Sequence, residues 1–123
     1  MIAKPALLAA LAMLIPASAH AQTAEEIIDG AASLSQEMES ARRLRDSKAV
    51  CSLSLTINAE HKATRRLMLL TAKKTFDGIE GGKPADDIKN LSGDLGGYIA
   101  ALDTLARLKG RADMACLMLT EAG

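Results

Sequence analysis

The clearest pattern of apolar and polar positions lies in the second half of the chain. Ile88, Leu91, Leu95, Tyr98, Leu102, Leu105, Lys109, Ala112, Cys116 and Leu119 recur at alternating steps of three and four, with one lapse at Lys109. A seven-residue apolar repeat is the seam of a helix lying along another helix, so the spacing predicts a helix over 84–120. Pro84 suits a first helical turn, and Asp86 and Asp87 follow where the helix dipole favours acids. Asn90, Ser92, Gly93, Asp94, Gly96 and Gly97 have loop composition, and each glycine costs a helix about 1 kcal/mol. Two readings stand: a break at 90–97, or a continuous helix whose glycines admit a close neighbour. The unbroken phase of the repeat favours continuity.

Near the start, Ile27, Ala31, Leu34, Met38 and Ala41 share one helical face. Thr23 and Glu26 have capping-box spacing. Arg42, Arg43 and Arg45 stand where the dipole favours bases. A helix over 24–45 follows. The middle segment, 48–76, gives conflicting signals. Cys51, Leu53, Leu55 and Ile57 alternate with Ser52, Ser54, Thr56 and Asn58, a period of two that suits a strand. Ala59 to Phe76 is rich in good helix formers. A lone strand lacks a convincing partner, and the whole segment is read as one helix whose apolar residues spread over more than one face, as expected of a helix with a neighbour on each side. Asp77 to Lys83, with glycines at 78, 81 and 82, reads as a loop. The predicted fold is all-α, an up-down-up three-helix bundle: a hairpin of 48–76 and 84–120, plus helix 24–45.

The cysteines sharpen that picture. The chain has two, Cys51 and Cys116, and the midpoint between them falls between Lys83 and Pro84. In an antiparallel hairpin this sets the two sulfurs at equal height at the end furthest from the turn, and the apolar repeat aims Cys116 at a neighbouring helix. A Cys51–Cys116 disulfide closing the open end is predicted.

The first residues point to an oxidising destination for such a bond. Lys4 precedes an apolar run from Ala6 to Ile15, then Pro16 and the small residues Ala17, Ser18, Ala19 and Ala21. This is the form of a secretory signal peptide cleaved after Ala21, leaving a single helical domain at 22–123, periplasmic or secreted, with no membrane span. The chain holds 15 Lys and Arg against 15 Asp and Glu; without Lys4 one excess negative charge remains. Near-neutrality gives no electrostatic case for nucleic acid, and with Phe76 and Tyr98 as the only aromatics, base stacking is poorly served.

Candidate chemistry is sparse. His61 is the one histidine after position 21, too few for the three or four nitrogen and sulfur ligands of a zinc site once the cysteines are joined. No serine stands in a G-x-S-x-G context. The expectation is no enzyme, no cofactor and no metal. The alternative is a haem or metal carrier using His61 and a methionine, of which Met38 is the candidate. Lys62, Arg65, Arg66 and Lys73 fall within a sector of about 100° on a helix, a charged stripe that suits docking of a protein partner. The same register that joins the cysteines sets Lys73 opposite Asp94. Gly97-Tyr98-Ile99 with Asp103 loosely resembles a glycine-tyrosine segment of small exported immunity-type helical proteins, over about seven residues and without a cysteine before the glycine. That resemblance implies a contact role for Tyr98. The function expected is non-catalytic: an exported helical protein, inhibitor-like or accessory, that binds another protein through a helix face.

Overall fold

A computed structural model describes residues 22–122; the expected signal peptide, 1–21, lies outside the described residues. Three helices follow in order: α1 (Ala24–Arg43), α2 (Ser47–Glu80) and α3 (Ala85–Ala122). They pack against one another, with the α2–α3 interface the largest. Among the described residues there is no strand, and no helix is long and apolar enough to cross a membrane.

Local chemistry sets the boundaries. The capping box forms as the spacing requires: the Glu26 amide donates to Thr23 Oγ1, and the Thr23 amide donates to Glu26 Oε1. α1 ends at Arg43, two residues short of the expected 45, because Arg45 leaves the helix with φ of 55°. With Arg45 left-handed, its amide donates to the Arg42 carbonyl and the Asp46 amide to the Ala41 carbonyl, a Schellman termination. Asp46 then caps α2 by accepting from the Ala49 amide.

The turn from α2 to α3 repeats this device with Gly82, φ 71°, in the left-handed position. The loop expected at 77–83 is therefore wrong for its first half, since α2 runs on to Glu80. Gly78 is buried inside the helix, where a Cβ would lie 2.9 Å from Ile88 Cδ1. Its missing side chain lets α3 approach. The strand-like run 50–58 is helical too: Val50 and Ile57 enter the core, while Leu55 is thrown outward. α3 is continuous through 90–97. Gly93 and Gly96 face open space, and Gly97 lets α1 come close, a Cβ there lying 2.9 Å from the Ala24 Cβ.

The Cys51–Cys116 disulfide is present, with the two Cα atoms 4.8 Å apart. Three residues inward on each helix, Ser54 donates to Asp113 across the hairpin, at 2.6 Å. In the same register Gly78 stands level with Lys89, between its contacts Ile88 and Leu91. The register set by the cysteines thus holds to the tip. Lys73 does not reach across to Asp94; it pairs with Asp77 one turn along its own helix, at 2.6 Å, a geometry any exposed i,i+4 pair reaches without bridging two helices.

The apolar core fills only the cysteine half. Its buried members are Ile27, Ala31, Met38 and Ala41 of α1, Val50 and Ile57 of α2, and Tyr98, Ala101, Leu105, Leu108 and Ala112 of α3. α1 has 20 residues, about 30 Å of helix, against 38 residues, about 57 Å, in α3. Since Ala24, the first residue of α1, meets Gly97, the tip half of the hairpin is two helices thick among the described residues.

Two outcomes follow. Replacing both cysteines by serine lowers unfolding free energy by up to about 4 kcal/mol, the chain-entropy value for a loop of this length, read from urea unfolding. G96A gains up to about 1 kcal/mol as an open helical site, whereas G97A falls below it by about 1 kcal/mol or more as its methyl meets Ala24; equal effects would contradict the close α1–α3 approach.

Candidate functional site

Among the described residues, nothing packs on the outer face of α2, where Leu55 is 74% exposed, Leu69 53% and Phe76 67%. Leu70, 51% exposed, and Ile79, 57%, flank that face on opposite sides. The chain's one phenylalanine thus lies outside the core. Lys62, Arg65 and Arg66 are exposed just before Leu69, and Lys73 lies between Leu69 and Phe76. At 100° per residue, Lys62, Arg65, Leu69, Lys73, Phe76 and Glu80 fall within about 80° of one another. Among the described residues Lys62, Arg65 and Arg66 form no ion pair, while Lys73 is held by Asp77. The four basic residues picked out by spacing therefore do share one exposed face. The signal for the interleaved apolar residues is the spread of apolar positions around the middle helix.

Tyr98 is placed elsewhere. It is 9% exposed, at the end of the core, and its hydroxyl donates to the Gln22 carbonyl at 2.7 Å. Burial, then the negative charges of Asp94 and Glu26, push its phenol above the usual range. The glycine-tyrosine pair thus serves α1–α3 packing: Gly97 admits Ala24 and Tyr98 ties down the residue that leads into α1.

His61 is partly buried on α2, and Met38 is buried on α1. Counted from the turn at 44–46, their levels differ by roughly 13 Å of helical rise, so the two are not brought together as a ligand pair. Met38 instead lines a groove of 450 Å³ between α1 and α3 with Met114 and Met118, bordered by Glu39, Arg42 and Arg111. Among the described residues no cluster of three or more His, Cys, Asp or Glu converges.

Compared with protein-family models, curated proteins and solved structures, the chain shows no match. Its site must be read from its own geometry.

One polar cluster lies inside the hairpin. Asp113 accepts from Ser54 Oγ and from Asn58 Nδ2 at 2.9 Å, and Lys109 Nζ pairs with its other oxygen at 3.0 Å. The lapse at Lys109 in the apolar repeat is explained by this partner. The Ser54 hydrogen bond, with those from Asn58 and Lys109, holds the Asp113 carboxyl below its ordinary range. Every donor has a structural acceptor, so the cluster reads as a device that fixes α2 against α3. Glu60, partly buried, is shifted the other way by burial.

These shifts carry opposite signs in stability. A depressed Asp113 contributes stability that is present above its unfolded-state value and lost as pH falls through its lower folded value; a raised Glu60 contributes below its unfolded-state value and loses that contribution as pH rises through its folded value. D113N should therefore be less stable than wild type at neutral pH by about 1 kcal/mol, the scale of a partly exposed charge-assisted hydrogen bond. The gap should close as acid protonates Asp113, while the Glu60 contribution is common to both proteins. A gap unchanged down to acid pH, followed by urea unfolding, would contradict the assignment.

Proposed function

We propose that the chain is an exported, non-catalytic helical protein that binds another protein chain through the exposed face of α2, as an inhibitor-like or accessory factor. The observation that carries this reading is the solvent-exposed stripe of α2 that holds Leu69 and Phe76 among Lys62, Arg65 and Lys73, with exposed Leu70 and Ile79 on its opposite flanks. Exposed apolar surface costs free energy in water, and a contiguous patch with a charged border is the usual form of a protein docking site. Aromatic and arginine side chains at its centre and edge are those enriched among residues that dominate binding energy. The disulfide supports an oxidising compartment, in accord with the small-residue motif before Gln22.

Exchange of Phe76 for a photo-crosslinking phenylalanine analogue tests the docking face in the exported protein. A crosslinked adduct with a protein chain is expected from position 76, and none from the same analogue at Ser33 on the exposed side of α1. Absence of any adduct at 76 would overturn the reading. N-terminal sequencing of the exported protein should begin at Gln22; a retained segment 1–21 would contradict the export proposal.

A further inference from the structure

The exposed stripe on α2 is complementary to itself. Along the helix it runs from basic to apolar to acidic: Arg65, Leu69, Phe76, Glu80, with Lys73 midway. Arg65 and Glu80 share a midpoint with Leu69 and Phe76, between Ala72 and Lys73. When two identical helices lie antiparallel about a two-fold axis, residues equidistant from that axis face each other, and each contact occurs twice. An axis beside Ala72 and Lys73 therefore sets Leu69 of one copy on Phe76 of the other, and Arg65 on Glu80, in duplicate.

Resting on the proposed docking face, we infer that its partner is a second copy of this chain, packed α2 on α2, antiparallel. Charge complementarity extends beyond the central pairs. The hairpin register sets Asp87 level with Glu80, with Asp86 beside it, partly offset by Lys83. Arg66 and Lys62 enlarge the basic end. The like-charge approach at the axis, Lys73 against Lys73, is relieved because each is already paired with Asp77 at 2.6 Å. The match ends where Lys62 reaches the level of Lys83, which places the rim of the interface. The pairing covers Leu69 and Phe76, which are 53% and 67% exposed and lie on the same side of α2.

Analytical ultracentrifugation of the oxidised protein tests this over a dilution series starting at about 100 µM, roughly a hundredfold above a micromolar dissociation constant. Wild type should sediment as a dimer that dissociates on dilution. R65E and E80R, both at exposed positions and checked for helicity by circular dichroism, should each raise the dissociation constant at least tenfold, about 1.4 kcal/mol. An equimolar mixture of the two should restore dimers, since residue 65 of each chain then meets an opposite charge at residue 80 of the other. A monomeric wild type, a dimer indifferent to both reversals, or a mixture that stays dissociated would overturn the inference. The Phe76 crosslink separates this from failure of the docking face itself: an adduct with a different chain, alongside a monomeric protein, removes the second copy as partner and leaves the docking face standing, whereas no adduct removes both.

Discussion

The structure depends on one covalent constraint, the bond between Cys51 and Cys116 across the open end of the α2–α3 hairpin. Two long antiparallel helices can slide past each other by a turn at modest cost if only aliphatic contacts oppose it. The disulfide removes that freedom, and the Ser54–Asp113 hydrogen bond three residues inward repeats the same register in polar form. At the other end, Gly82 turns the chain and Gly78 admits Ile88. With both ends held, every intermediate pairing is fixed.

That constraint bears on the unequal distribution of the core. The buried aliphatic residues lie beside α1, in the cysteine half; the tip half buries little beyond Thr75 and Gly78 on α2. A two-helix segment has little capacity to bury its own apolar surface, and here it is tied to a three-helix base closed by a disulfide. Leu69, Leu70, Phe76 and Ile79 are thereby carried into solvent on a helix fixed at both ends. The rigid presentation lowers the ordering cost that a partner would otherwise have to offset. Charges set among the apolar groups keep the face soluble.

Much of this was legible in the chain. The seven-residue repeat gave α3 its length and aimed Cys116 inward, the capping box located the start of α1, and the cysteine midpoint located the tip. What was misread turned on contacts distant in sequence. Gly78 has loop composition, yet its use is to receive Ile88, a relation invisible until the hairpin closes. The segment 50–58 was read correctly as helix despite its alternation, and Leu55, exposed against the pattern, shows that the period of two is not a strand face. Arg45 carries no sign of a left-handed backbone, because the hydrogen bonds of Asp46 and its own amide impose it. Tyr98 stood out as a lone tyrosine beside glycines, and only the position of Gln22 shows that its hydroxyl is already engaged. The exposed apolar face was hidden for a simpler reason: the middle helix was given neighbours on both sides, although its outer face, from Leu55 to Phe76, meets neither α1 nor α3.

A single disulfide fixes the register of the α2–α3 hairpin. Mass mapping of the unreduced protein after proteolysis tests this most directly. The account predicts one linked species joining the peptide that contains Cys51 to the peptide that contains Cys116, separated by reductant with the gain of two hydrogens. Two free thiols, or a cysteine linked to a second chain, would contradict it.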